Sequence, residues 1–235
     1  MKLFVANWKM QLTLAQQIAY CQEHIEEMKS WKHKIILCPS FPALVTIGHM
    51  LHKTDVALGA QSCSGHTQGP YTGQVSATSL AQAGCSYVLI GHSEERALGL
   101  TDDAFATKTA RVLEAGLIPI VCIGETLEQK KHGATQEVLE YQLQTIHEVI
   151  KKAPFYIAYE PVWAIGSGQT PTKKELEEIL AWLKHTNPNA GLLYGGSVTK
   201  ETIEPLSQLP FLHGFLIGGA STDFQQFKKI VSLVP

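Results

Sequence analysis

The feature that most limits what this chain can fold into is an alternation running from one end to the other. Eight short apolar runs, at 3–6, 34–37, 56–60, 87–90, 118–123, 155–159, 192–195 and 215–217, are separated by stretches with helical periodicity. Runs this short, bounded by polar and glycine-containing segments, read as buried strands. Stripes such as Leu44, Ile47 and Leu51, or Leu139, Leu143, Ile146 and Ile150, read as one face of a helix. Thr13 with Gln16, and Thr172 with Glu175, form capping-box patterns ahead of two of these helices. Gly84 and Gly116 fall where two others need a left-handed cap. The seventh helical stretch, near 200–209, is the weakest, because Pro205 interrupts it. Strands that alternate with helices line up parallel, joined by right-handed crossovers. Eight such units of roughly thirty residues suit a closed (β/α)8 barrel. An open doubly wound sheet would normally carry a glycine-rich dinucleotide turn after its first strand, where Asn7-Trp8-Lys9 stands instead. No linker divides the chain, so residues 1–235 are expected to form a single barrel domain.

Composition narrows the function. An apolar content of 45% with 17% charged residues describes a globular protein with a large core. A net charge of −2 gives no reason to expect nucleic acid or a membrane surface as partner. Cys21, Cys38, Cys63, Cys85 and Cys122 are odd in number and form no CxxC pair, so reduced core thiols in a cytoplasmic protein are expected, with no zinc site. The run at 3–6 leaves no signal-peptide core ahead of it. The uncharged stretch 56–93 is too rich in Gly, Ser, Thr and Gln to span a membrane.

In such a barrel the chemistry lies just beyond the strands' C-terminal ends. Glu160 stands where the sixth strand stops, because Pro161 removes a ladder donor and biases Glu160 toward extended backbone. A short apolar segment carrying Trp163 follows, closed by Gly166-Ser167-Gly168, which suits a lid able to exclude water. A carboxylate under a lid is an arrangement for base chemistry. After the first strand, Asn7 and Lys9 bring an amide and a positive charge to the mouth. After the fourth, Gly91-His92-Ser93-Glu94 opens onto a helix, and a His at a helix N-terminus is disfavoured as a cation. Cys122-Ile123-Gly124-Glu125 puts another acid at a strand end. After the seventh and eighth strands, Gly195-Gly196-Ser197 and Gly218-Gly219-Ala220-Ser221 let backbone N–H groups approach an anion closely. One phosphate site, one acid, one His and one Lys imply proton abstraction on a small phosphorylated substrate.

These motifs, with Tyr159-Glu160-Pro161-Val162-Trp163-Ala164-Ile165-Gly166, follow one another in an order similar to that of the triosephosphate isomerase family, along essentially the whole chain. The resemblance implies a TIM barrel. It also implies interconversion of dihydroxyacetone phosphate and glyceraldehyde 3-phosphate, in glycolysis and gluconeogenesis, by a homodimer without metal or cofactor. In that family a Glu base and a neutral His electrophile divide the work under a closing loop, and that division is taken over from the resemblance. Glu160 is then the base and His92 the electrophile. Lys9 with Asn7 stabilises the anionic substrate and enediolate, and Glu94 supports Lys9 and His92 from behind. Gly166, Ser197, Gly218 and Gly219 hold the phosphate. The dimer contact falls to the loop 63–74, opening on Cys63 and closing on Gln74, with Thr72 near the partner's Asn7 and His92.

The chain departs from the family at Ser62, Gln74, Glu95 and Gln169, where an Asn, a Glu, an Arg and a Lys are usual. The family's Glu and Arg meet across the interface, so here Gln74 is expected to donate its amide to Glu95 of the partner subunit. Two rivals remain at this stage: a Schiff-base aldolase acting through Lys9, and a phosphate-binding barrel without catalysis.

Overall fold

The computed structural model describes residues 1–167 and 169–235. Eight parallel strands close into a barrel in chain order: β1 (Leu3–Asn7), β2 (Lys34–Cys38), β3 (Ala57–Ala60), β4 (Cys85–Ile90), β5 (Ile118–Ile123), β6 (Phe155–Tyr159), β7 (Ala190–Tyr194) and β8 (Leu212–Ile217). Successive side chains on a strand point to opposite faces, and here both faces are buried. Leu3, Val5, Ile36, Cys38, Leu89, Ile120, Cys122 and Leu216 fill the barrel. Their neighbours Phe4, Ala6, Leu37, Val88, Ile90, Val121 and Ile217 pack outward into the layer beneath the helices. That double burial is why the strands read as continuous apolar runs.

Ten α-helices surround the barrel among the described residues: α1 (Leu14–Met28), α2 (Leu44–Leu51), α3 (Ala77–Gln82), α4 (Ser93–Ala97), α5 (Asp102–Glu114), α6 (Leu127–Lys131), α7 (Thr135–Ile150), α8 (Lys173–Thr186), α9 (Ile203–Ser207) and α10 (Phe224–Ser232). Both expected capping boxes are formed, at Thr13 and Thr172. Gly84 and Gly116 take positive φ, 92° and 74°. Two helices exceed one per unit. The connections after β4 and β5 each break into a short helix and a long one, at Gly99 (φ 89°) and Gly133 (φ 71°), a backbone region that other residues enter only with strain. The weakly marked seventh connection yields only the five-residue α9.

All five cysteines are free and buried, and burial pushes the thiols of Cys21, Cys63 and Cys85 up to about 12. Among the described residues no helix is long and apolar enough to cross a membrane.

Closure rests on β8 meeting β1, with Leu3 opposite Gly214 and Ala6 opposite Ile217. A Cβ at Gly214 would lie 1.9 Å from the Leu3 carbonyl oxygen, so the strands approach this closely only because the side chain is absent. The obstacle is backbone, which cannot step aside as a side-chain tip can. Gly214→Ala should therefore lower the unfolding free energy by about 3 kcal/mol or more, read from urea or guanidinium titration. A variant within 0.5 kcal/mol (roughly the scatter of neutral surface changes) would show that closure tolerates the methyl group.

Candidate active site

The strand ends converge on an open cleft of about 300 Å³. Asn7, the last residue of β1, is buried, and its Oδ1 accepts from the Lys9 N–H at 3.1 Å. Lys9 itself sits at φ 52°, a left-handed conformation that costs a non-glycine residue about 1–2 kcal/mol. Gln61 holds it there, its Nε2 donating to Lys9 O at 2.8 Å and to Cys38 O at 3.0 Å. The turn aims the Lys9 ammonium into the cleft, where Nζ lies 2.7 Å from Glu94 Oε1.

His92 is the N-cap of α4. Its Nδ1 accepts from the Glu94 N–H at 3.2 Å, so that nitrogen carries the lone pair and Nε2 carries the proton. Nε2 faces Glu160 Oε1 at 3.5 Å. The ring is therefore held as a donor directed across the barrel mouth. Glu94 meets Lys9 and His92 from the solvent side rather than from behind, since its side chain is 61% exposed.

Glu160 follows β6, its N–H donating to Ile123 O at 2.7 Å, and its carboxylate is buried with Oε2 unpartnered among the described residues. Gly195 makes the room, because a Cβ there would stand 2.7 Å from Glu160 Cγ. Burial raises the Glu160 pKa above its ordinary value; His92, Lys9, the Cys122 thiol and the Ser93 N–H oppose that shift without cancelling it. A buried carboxyl with a free oxygen and a raised pKa has the properties that proton abstraction away from water requires.

Gly218 and Gly219 lie across the cleft, with Gly219 opening a 3₁₀ turn, Gly219–Ser221. A Cβ on Gly218 would touch Lys9 Cε at 3.3 Å, so the loop after β8 lies against the loop after β1. Trp8, fully buried, bolts the two together by donating Nε1 to Ser221 O at 3.1 Å. Ser197 and Gly166 line the same space. Thus Asn7, Lys9, His92, Glu160, Gly166, Ser197, Gly218 and Gly219 share one cleft, with Glu94 on its rim. Gly168, expected to close the lid, lies outside the described residues.

A family model for triosephosphate isomerase matches residues 2–234. The chain belongs to the triosephosphate isomerase family. It is 37% identical over 235 residues to the triosephosphate isomerase of the Wolbachia strain of Brugia malayi, covering 99% of this chain and 97% of that one. It is 39% identical over 242 residues to that of Herminiimonas arsenicoxydans, with 98% of each covered. For Mesomycoplasma hyorhinis the figures are 35% over 237 residues, again 98% of each.

Three side chains support this cleft in roles that the sequence did not reveal. Gln61 fixes the strained turn of Lys9. Glu125, buried after β5, accepts from Tyr159 Oη and, at 2.8 Å, from Trp163 Nε1, and so ties down the first part of the lid segment. Its position after an apolar strand was the available signal. Lys108 is the third, and it bonds a residue expected at the subunit contact. Glu95 Oε1 accepts from Lys108 Nζ at 2.5 Å and from Ser62 Oγ at 2.6 Å, within one chain. Gln74 Oε1 accepts from Ser64 Oγ at 2.6 Å. Glu95 thus has its counter-charge at home. Nothing in the sequence spacing announces that a lysine thirteen residues on will reach it.

The raised Glu160 pKa carries a stability consequence. Below about pH 4 the carboxyl is protonated in folded and unfolded chains alike and costs nothing. As pH rises from there, the unfolded chain loses the proton first, so stability falls until the folded-state pKa is passed. Glu160→Gln should therefore be more stable than the parent chain at pH 7, with the advantage vanishing below about pH 4. Denaturant titrations at the two pH values check this; an equal advantage at both would trace the effect to packing.

Proposed function

We propose that this chain interconverts dihydroxyacetone phosphate and glyceraldehyde 3-phosphate with Glu160 as the base, His92 as the electrophile and Lys9 as the fixed cation. The observation that carries the reading is the opposition of a buried, half-partnered carboxylate and an imidazole N–H 3.5 Å apart in a single cleft. With substrate between them, Glu160 removes the proton from C1 while His92 donates from Nε2 to the carbonyl oxygen on C2. The enediolate gains from positive potential already in place, supplied by the Lys9 ammonium and the Asn7 amide, so no reorganisation is needed as charge develops. Glu160 then returns the proton to C2, while His92, having given its Nε2 proton to O2, takes the hydroxyl proton from O1, which leaves an aldehyde at C1 and a hydroxyl at C2. The phosphate is held by Gly218, Gly219, Ser197 and Gly166, and drives the lid shut without reacting itself. Exclusion of water keeps the base effective and disfavours loss of phosphate from the intermediate.

An aldolase acting through Lys9 is the less favoured reading. A Schiff base needs a free amine, and Lys9 Nζ is held against Glu94 as an ion pair at 2.7 Å. The chain works as one domain and, by our reading, as a homodimer in the cytoplasm. The groove lined by Ser64, Gly73, Gln74 and Glu95 also takes in the partly exposed Phe41, and Met10 and Leu98 stand 95% and 82% exposed on neighbouring loops. Apolar side chains left bare around a protruding loop support a covered surface there.

Glu160→Gln should cut kcat by about 10²–10⁴-fold while inorganic phosphate still inhibits the parent and the variant at similar concentrations. A coupled isomerase assay measures the first and competition the second; near-parental kcat in a folded variant would move the base elsewhere. Borohydride should trap no substrate on the parent enzyme. Sedimentation over a dilution series should show a dimer, and a fully active monomer would refute the assembly.

A further inference from the structure

His92 is carried by a helix that apolar packing does not hold. None of the five residues of α4 is buried, although a helix normally takes its place by burying an apolar face. The joint before it is Gly91 at φ 74°, so the strand alone does not fix the direction in which α4 leaves. Besides Glu94, which meets Lys9 at the exposed rim, two charged side chains fix it. Arg96 donates Nε to Gly91 O at 3.0 Å and Nη1 to Asp102 Oδ1 at 2.5 Å, its guanidinium 4.7 Å from the Phe105 ring centroid. Glu95 reaches the other way. Its Oε1 takes Ser62 Oγ and Lys108 Nζ, and Lys108 Nζ also donates to Ser62 Oγ at 2.9 Å.

Ser62 lies in the loop after β3, and Lys108 is buried in α5, which with α4 makes up the connection after β4, so this triangle joins two successive units of the barrel. Glu95 Oε2 is buried without a partner among the described residues. The carboxylate therefore depends on its Oε1 contacts. Arg96 alone leaves a pivot; Arg96 and Glu95 together define an orientation.

We propose that Glu95, Lys108 and Ser62 form a clamp that positions His92, none of the three touching substrate. The proposal rests on the reading of His92 as the electrophile. Loss of the clamp lets α4 turn about Arg96, and a displacement of about 1 Å at a reacting group costs as much as 10²-fold. The phosphate end of the cleft, built on β7 and β8, is untouched by such a turn. The signature is a fall in kcat without a fall in phosphate affinity.

The test uses the whole chain with Lys108→Met and Lys108→Arg. For each, kcat, KM, inhibition by inorganic phosphate, sedimentation at assay concentration and the His92 ring resonances by nitrogen-15 NMR are measured. We expect Lys108→Met to lose about 10- to 10²-fold in kcat, with inhibition by inorganic phosphate within about twofold of the parent. Its assembly should be unchanged and its Nε2–H resonance shifted or broadened, while Lys108→Arg recovers most of the activity. A folded Lys108→Met with kcat within about twofold of the parent and an unmoved resonance would overturn the clamp. An equal loss of kcat and phosphate affinity would overturn it too, in favour of general damage. Should Lys108→Met fail to fold, Lys108→Met with Glu95→Gln removes both buried charges and is held to the same criteria. His92→Gln separates the two claims. If it retains kcat, the electrophile reading fails, while an unmoved resonance in Lys108→Met still counts against the clamp alone.

Discussion

The contact between β8 and β1 is the constraint on which the rest depends. Without it the eight units form an open sheet, and the loops after the first and last strands stand at opposite edges. With it, Lys9 and Gly218 touch, although more than two hundred residues separate them in sequence. Gly214 admits the approach of the backbones, and Trp8 locks it by reaching Ser221. A cation from the start of the chain and a glycine-lined loop from its end thereby share one cleft.

Within that ring the cleft is arranged around a charge that the fold disfavours. Burial works against ionisation of Glu160, and the opposing groups are drawn from different units: His92, Lys9, Cys122 and the Ser93 N–H. Fewer partners leave Oε2 free, and a free oxygen is what a base requires. Stability at this position is lowered in favour of reactivity, a balance that a well-packed barrel can absorb because its core is elsewhere complete on both faces of every strand.

Polar ties rather than apolar packing orient the groups around Glu160. Lys9 is kept in a strained turn by Asn7 and Gln61, His92 rides on a helix without a buried residue, and Trp163 is anchored to Glu125. Hydrogen bonds and ion pairs fix direction as well as distance, whereas apolar contacts mainly fix depth. The departures at Ser62 and Glu95 belong to this layer. At these two positions, where the resemblance leads one to expect an Asn and an Arg, this chain has a hydroxyl and a carboxylate that bond to each other, and Lys108 supplies the carboxylate's counter-charge.

The sequence by itself determined the strands, the barrel and the chemical types at the strand ends. Those depend on local rules: short doubly buried runs, helix caps such as Thr13 and Thr172, and strand stops such as Pro161. Glu160 and His92 were legible because each stands at an interruption of pattern, an acid or imidazole where an apolar run ends. Glu125 carried the same signal without its role, and Gln61 and Lys108 had no such legibility as supports, because an amide after a strand or a lysine within a helix usually faces water. What they hold is set by which neighbours the closed barrel brings within 3 Å of them. The pairing of Glu95 with Lys108 within the chain is the clearest case. Sequence fixes the charges along the chain, but only the angle between α4 and α5 decides which charge each one meets.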